Sequence, residues 1–134
     1  MTIDDISKGA CVTPILCVSD IEASFDYYVD RLKFVKAWDW GEPATFGSVY
    51  FGEKVELFFC LEGQGNPGSW MSIFIKDVDA YKRIIKEAGA DIVYGPADEP
   101  WGVREMHVKD PDGNIIRFST AIEAVTKPVR PARS

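Results

Sequence analysis

The order of predicted elements in this chain occurs twice, and this repeat constrains the fold more than any other feature. In each half a strand and a helix are followed by three further strands, and the segment 18-VSDI-21 is matched 57 residues later by 75-IKDV-78. A unit of this kind forms a curled sheet with one helix packed on its outer face. The sequence therefore predicts an α+β fold of two βαβββ modules, whose curled mixed sheets lie side by side around a trough.

Both helices are predicted from apolar residues that recur at helical spacing. The first helix is expected to begin with a capping box of Ser19 and Glu22. The second has Asp77 as its N-cap and Gly89 as its end. They are predicted over residues 20–32 and 77–89, with apolar faces formed by Ile21, Phe25, Tyr28, Val29 and Leu32 in the first and by Val78, Tyr81, Ile84, Ile85 and Ala88 in the second.

Short apolar or alternating runs separated by the turn sequences GEP, GEK and DPDGN predict the strands. These strands are expected at residues 11–18, 33–40, 45–51, 54–61, 69–76, 92–97, 102–109 and 114–120. The chain then divides into an N-terminal arm (1–10), a first module (11–61), a linker (62–68), a second module (69–120) and a proline-rich, basic tail (121–134) that we expect to be flexible.

The charge of the chain favours some partners over others. A chain of 134 residues can form one domain with a core that needs no metal or disulfide. The net charge is −6, and because residues 121–134 carry +2, residues 1–120 carry −8. An acidic body disfavours nucleic acid and suits a cationic ligand, although excess acid also serves solubility alone.

Cysteine usage and the N-terminus predict a cytoplasmic protein. Three cysteines without a C-x-x-C spacing indicate reduced thiols, and we expect Cys11 and Cys17 on one strand and all three, with Cys60, as small core residues. No apolar run is long enough to span a bilayer, and the acidic start MTIDDISKGA lacks the features of a signal peptide.

Two segments carry a resemblance to a known family. The segments 18-VSDIEASFDYYVDRLKF-34 and 101-WGVREMHVKDPDGNIIRF-118 resemble the vicinal oxygen chelate superfamily, which includes glyoxalases, extradiol dioxygenases and bleomycin-resistance proteins. The second segment is especially similar to the bleomycin-resistance branch. The resemblance covers residues 11–120 and implies a homodimer whose binding grooves combine both chains.

The resemblance also implies where a metal would be held. Enzymes of the superfamily bind a divalent metal in the trough through His and Glu side chains from several strands. The matching positions here are Thr13, Glu56, Met71 and Arg117. A thioether is a poor ligand for Mg, Mn or Fe(II) and a guanidinium cannot ligate, so we expect no metal and no cofactor. Glu56 and Arg117 are expected to form an ion pair inside the trough, or to point into solvent at the strand ends.

The sequence gives only weak support for other kinds of catalytic site. His107 shares a strand face with Glu105, which could orient it as a general base, but the pattern favours a half-exposed strand histidine without a catalytic role. The sequence has no serine nucleophile elbow, and 62-EGQGNPGS-69 matches no phosphate-binding loop. The sequence thus assembles no convincing catalytic set.

Aromatic residues instead predict a binding pocket. Trp38 and Trp40 alternate on one strand face, with Lys36 expected on the same side. Trp101, with Asp98 and Glu99 just before it, resembles the tryptophan of the drug-binding groove in bleomycin-resistance proteins, and is expected to form a stacking platform for a flat cation. The candidate ligand-binding residues are Trp38, Trp40, Phe46, Glu56, Phe58, Cys60, Trp101 and Arg117.

Three functions are compatible with these residues. The first is non-catalytic sequestration of a cationic aromatic small molecule, as in bleomycin-type antibiotic resistance. The second is a metal-dependent glyoxalase-like or dioxygenase-like enzyme with substitute ligands around Glu56. The third is a metal-free relative that binds another metabolite.

Overall fold

The computed structural model describes residues 1–122, and the predicted tail lies outside them except for its first two residues, of which Ala121 belongs to the last strand. The helices are α1 (Ile3–Ser7), α2 (Ile21–Phe25) and α3 (Val78–Glu87), with a π-helical segment (Asp26–Arg31) continuing α2. The strands are β1 (Ile15–Cys17), β2 (Val35–Trp40), β3 (Phe46–Phe51), β4 (Val55–Cys60), β5 (Trp70–Phe74), β6 (Asp91–Asp98), β7 (Val103–Lys109) and β8 (Ile115–Ala121).

Two open, mixed sheets have the same topology. The first sheet has the strand order β1-β4-β3-β2 and the second has β5-β8-β7-β6. The first strand of each module runs parallel to its last strand, whereas the remaining pairs are antiparallel. The predicted α+β fold of two βαβββ modules is therefore confirmed. Among residues 1–122, no helix has the length and apolar character to cross a membrane.

The first helix differs from its prediction at both ends. Its N-cap is Asp20, whose carboxylate accepts a hydrogen bond from Ala23 N at 2.9 Å, so the capping box expected at Ser19 is wrong. After Phe25 the chain widens into the π-helical segment. Tyr27 and Tyr28, two consecutive residues of this segment, are both buried.

The second helix agrees more closely with its prediction. The Asp77 carboxylate accepts a hydrogen bond from Ala80 N at 3.0 Å, and Gly89 follows the helix with φ +89°, a conformation that favours glycine. Val78, Tyr81 and Ile85 are buried as expected. Ile84 is 53% exposed, so its assignment to the apolar face is wrong.

The N-terminal region contains less strand and more helix than expected. Residues predicted as a plain arm form α1, which Thr2 caps through reciprocal hydrogen bonds with Asp5. Strand β1 begins only at Ile15, so Cys11 lies outside it and is exposed. Cys17 is half-buried and only Cys60 is buried, although all three thiols are free as predicted.

One apolar core joins the two modules through their helix-bearing faces. The Tyr81 hydroxyl donates to Leu32 O at 2.7 Å, and Tyr27 donates to Lys109 O at 2.6 Å. The buried core residues come from both sheets and both long helical segments. Because these contacts all lie on the helix side, the opposite face of each sheet remains open; we call these the first and second open faces.

The DPDGN turn is held by a buried aspartate. The Asp110 carboxylate accepts hydrogen bonds from Asp112 N, from Asn114 N and Nδ2, and from the Tyr28 hydroxyl, all between 2.8 and 2.9 Å. The last of these bonds crosses from one module to the other. Burial, together with the neighbouring Asp110 charge, raises the pKa of Tyr28 well above its ordinary value, so the tyrosine stays protonated as the donor.

Candidate functional site

The first open face is lined by aromatic rings in mutual contact. Trp38 lies opposite Ser48, and Trp40 lies opposite Phe46, so these side chains share one face of β2 and β3. Trp38 stacks on Phe46 with centroids 5.6 Å apart and planes within 15°, and it meets Phe58 at 5.3 Å. Three rings from three adjacent strands therefore form a continuous apolar surface.

A β-bulge in β2 sets which residues reach this face. The register shifts between Lys36 and Trp38, so Lys36 pairs with Val49 on the helix side, and its ammonium lies 4.5 Å from the centre of the Phe25 ring. The expectation that Lys36 shares the face of Trp38 and Trp40 is therefore wrong. The bulge leaves that face without the lysine's positive charge.

A cavity of about 830 Å³ lies over this surface. It is lined by Trp38, Asp39, Trp40, Thr45, Phe46, Cys60, Leu61 and Glu62. Its volume is within the range of pockets that hold drug-sized molecules. Asp39 is paired with Lys36 at 2.7 Å, whereas Glu62 takes part in no ion pair among residues 1–122. Glu62 is thus the carboxylate at this cavity that is available to a cation.

Glu56 lies on the same face but outside that cavity. It accepts a hydrogen bond from Ser48 Oγ at 2.7 Å and lines a second cavity of about 560 Å³ with Thr13 and Tyr50. No ion pair within the described residues joins Glu56 to Arg117, so the expected pair inside the trough is absent from the single chain. The structure thus separates two residues that the sequence analysis brings together.

The second open face carries a chain of polar contacts around a buried carboxylate. Glu105 is 3% exposed, and it accepts from Trp101 Nε1 at 3.0 Å and contacts His107 Nε2 at 2.7 Å. His107 in turn packs against Trp70 and Tyr94, with ring centroids 5.3 and 4.7 Å away. Glu105 does orient His107, as the general-base interpretation requires, but it also fixes the Trp101 ring.

The acidic residues beside Trp101 are already engaged. Asp98 pairs with Arg104 at 3.0 Å, and Glu99 accepts a short hydrogen bond from the Tyr94 hydroxyl. The carboxylates expected to attract a cation to Trp101 therefore have partners within the chain. The ring itself remains 58% exposed, so it is still available for stacking.

Arg117 lies in the middle of the second open face, but Met71 does not. In the register of β5 and β8, Ser72 lies opposite Arg117 and Met71 lies opposite the buried Ile116. Met71 packs against the core, so the position predicted for it on the trough side is taken by Ser72. The predicted position is one residue out of register, and a shift of one residue moves a strand side chain to the opposite face of the sheet.

The residues at the family's metal positions do not fit a metal. Thr13, Glu56, Ser72 and Arg117 supply one carboxylate, two neutral hydroxyls and a guanidinium, which cannot ligate. Within residues 1–122 there is no group of three or more His, Cys, Asp or Glu side chains close enough to hold an ion. We therefore derive no chemical step through a metal at this site.

Sequence reasoning missed several residues that shape the two faces. Ser72 and Ser119 lie on the second open face with Arg117, and Trp70 and Tyr94 flank His107. Strict alternation of side chains along β4 and β8 places the candidate residues of each strand on one face of its sheet. Identifying Ser72 also requires the parallel register of β5 against β8, which has no clear local sequence signal.

The comparisons with known proteins agree with this geometry. A family model described as the Glyoxalase/Bleomycin resistance protein/Dioxygenase superfamily matches residues 9–118. Among curated protein sequences, none matches the chain.

Solved structures with the same fold include proteins that are named for antibiotic binding or resistance. TnmS3, an antibiotic binding protein from Streptomyces sp. CB03234, is 28% identical with a TM-score of 0.69, over 84% of this chain and 98% of that one. A glyoxalase/bleomycin resistance protein from the same organism is 30% identical with a TM-score of 0.68, over 81% and 98%. TioX from Micromonospora sp. ML1 has a TM-score of 0.75 at 22% identity, over 85% and 100%, and shows the fold alone.

Proposed function

Since the chain belongs to the Glyoxalase/Bleomycin resistance protein/Dioxygenase superfamily, we propose that it binds and sequesters a cationic aromatic small molecule of the bleomycin type, without changing it chemically. In this proposal the protein acts in the cytoplasm and needs no cofactor. Protection from a toxic molecule follows from tight binding alone, which requires a shaped pocket and complementary charge but no catalyst.

The observation that carries the proposal is the aromatic cavity on the first open face. Stacked Trp38 and Phe46 present a flat apolar wall, with Trp40 beside them and the Glu62 carboxylate at the edge. Aromatic walls bind planar rings by stacking, and a carboxylate at the edge favours a positive group on the same ligand. The net negative charge of the chain attracts such a ligand at longer range.

The relatives support binding over catalysis. TnmS3 is described as an antibiotic binding protein, and the ligand set here does not fit the metal that enzymes of the superfamily use. The metal-free binding of a different metabolite remains the second candidate, because the Arg117 side of the molecule is suited to a negative group.

We further propose that the working unit is a homodimer. Trp40 is 70% exposed and Trp70 is 64% exposed, and each lies on the open face of a different sheet. Exposed aromatic patches of this kind are usually covered by a partner or a ligand. A second copy that set its second open face over the first open face of its partner would bury both patches and complete two equivalent pockets. Sedimentation velocity of the purified chain tests this assembly.

Titration with copper-loaded bleomycin, followed by tryptophan fluorescence, tests the proposed function. We expect saturable quenching in the native chain and about ten-fold weaker binding in Trp38→Ala, since the variant loses one stacking wall. Glu62→Gln should weaken binding by about two- to five-fold, in a way that salt reduces. Trp101→Ala should remove a large part of the quenching signal.

The matched control is Ile84→Ala, because Ile84 is exposed on α3, away from both open faces. It should bind like the native chain. Saturable binding that Trp38→Ala leaves unchanged would place the ligand elsewhere, and absence of binding at micromolar protein would favour the metal-free relative with another ligand.

A further inference from the structure

Arg117 lies in an unusual position for a charged residue at the centre of a sheet. In the register of the second sheet it has Ser72 on one side and His107 on the other, with Ser119 two residues along the same strand. Its one hydrogen bond to a described residue runs from Nη2 to Ser72 Oγ and is long, at 3.4 Å. Strand pairing therefore fixes the position of Arg117, but the described residues give its guanidinium only this one long hydrogen bond.

Two buried polar atoms in this group lack a partner. Among residues 1–122, Arg117 Nε and Ser119 Oγ are the buried side-chain nitrogen and oxygen atoms without a hydrogen bond, and Ser119 is only 1% exposed. A buried donor without an acceptor destabilises the folded state, and more so when it belongs to a charged group. Both atoms belong to residues of β8 on the second open face, where the described residues supply them with no hydrogen-bond partner.

No carboxylate of the described chain neutralises this arginine. Glu105, an acid on the same face, is engaged by Trp101 and His107, and the ion pairs within residues 1–122 do not include Arg117. A guanidinium keeps its charge throughout the physiological pH range. The second open face therefore presents an uncompensated positive charge in an otherwise acidic protein.

Aromatic rings stand beside this charge. Trp70 and Tyr94 both pack against His107, the cross-strand neighbour of Arg117, and both rings are exposed. An oxygen bound by Arg117 would thus be attached to a group that lies against these rings.

We infer that Arg117 and Ser72 form a subsite for an anionic oxygen carried on an aromatic ring system, such as an aromatic carboxylate. The guanidinium Nη groups donate charge-assisted hydrogen bonds to the oxygen, as arginine does when it recognises a carboxylate. The ring lies against Trp70 and Tyr94. This inference rests on the proposed function in taking the protein as a small-molecule binder, and it adds that the second open face selects a charge opposite to that selected by the first.

Calorimetric titration of the full chain with naphthoate, and separately with naphthylmethylammonium, tests the subsite. These two probes share an aromatic ring system and differ in charge. We expect naphthoate binding to weaken at least about ten-fold in Arg117→Met and to be partly retained in Arg117→Lys, which keeps the charge and loses the fork. Arg83→Met, which removes an exposed positive charge from α3, is the matched control and should bind naphthoate normally.

A readout on the native chain covers the case in which Arg117→Met fails to fold. The Nε–H resonance of Arg117 in a proton–nitrogen NMR spectrum should shift with naphthoate and not with naphthylmethylammonium. Equal naphthoate affinity in the native chain and Arg117→Met, or an Arg117 resonance that does not move, would overturn the subsite. The proposed function is read through bleomycin binding in Trp38→Ala and Glu62→Gln on the first open face, whereas this subsite is read through naphthoate binding in Arg117→Met. The failure of one is therefore distinguishable from the failure of the other.

Discussion

Asp110 shows how one residue can have a larger role than its motif suggests. The motif DPDGN predicts a hairpin turn, and the structure contains one. The Asp110 side chain is 4% exposed and also accepts the Tyr28 hydroxyl from the other module. The short-range role was predictable from turn chemistry, but the long-range bond depends on how the modules pack.

Asp110→Ala should destabilise the protein strongly. The change leaves several buried donors without an acceptor, and we expect a loss of about 2–4 kcal/mol in the free energy of unfolding. Urea denaturation at neutral pH measures it. Asp112→Ala is the matched control in the same turn, because Asp112 accepts only an exposed bond from Ser19 N among the described contacts, and it should lose about 1 kcal/mol or less. Equal losses for the two variants would contradict this role of Asp110.

Residue alternation explains which predictions of strand faces agree with the structure. Leu57 and Phe59 are buried on the helix side, while Phe58, a candidate ligand-binding residue, contacts Trp38 on the opposite side of the sheet. Lys36 fails because a bulge intervenes, and Met71 fails because the register of β5 was shifted by one residue. Neither a bulge nor a parallel register has a clear local sequence signal.

At the scale of elements, the π-helical segment is the main departure from prediction. The apolar spacing of residues 20–32 fits an α-helix, and its predicted face, including Tyr28 and Leu32, is largely buried. The apolar spacing does not predict that Tyr27 is also buried. Its hydroxyl donates to Lys109 O and accepts from Asp91 N, so the wider winding is tied to contacts with the second module.

The tyrosines between the modules predict a loss of stability at alkaline pH. Burial raises the pKa of Tyr27, Tyr28 and Tyr81 above their ordinary value, which is about 10. Above that pH the unfolded chain releases these protons while the folded chain retains them, so stability is fully present below pH 10 and falls as pH rises. Each tyrosine should contribute a slope of about 1.4 kcal/mol per pH unit.

Thermal unfolding between pH 7 and 11 measures this effect, with absorbance of tyrosinate as the second signal. Tyr81→Phe is the test variant, because it loses only the hydroxyl that donates to Leu32 O. It should be less stable by about 1 kcal/mol at neutral pH and show a shallower decline above pH 10. A decline with the native slope in Tyr81→Phe would contradict the assignment to this residue.

At the scale of the whole molecule, the fold was predictable and the site only in part. The repeated element order was sufficient for two βαβββ modules, since each module encodes its own sheet and helix. Sequence patterns do not report how two sheets with a shared core orient their open faces. Hence the Glu56–Arg117 pair was expected, whereas the single chain places Glu56 with Ser48 and Arg117 with Ser72.

The two open faces together define the kind of ligand we expect. The first combines stacked rings with Glu62, and the second combines exposed rings with Arg117. A planar molecule with a positive group at one end and an anionic oxygen at the other would satisfy both faces. In the proposed dimer the faces of two copies meet, so one ligand would contact both.

We propose that this protein binds its ligand without a metal and without changing it chemically. The most direct test strips the protein of metal, removes the chelator by desalting, and titrates the protein with copper-loaded bleomycin in a calorimeter. We expect the same affinity before and after stripping, and bleomycin recovered with unchanged mass. Binding that is lost on stripping and restored by added Mn, Fe, Ni or Zn, or a ligand recovered with altered mass, would contradict the claim.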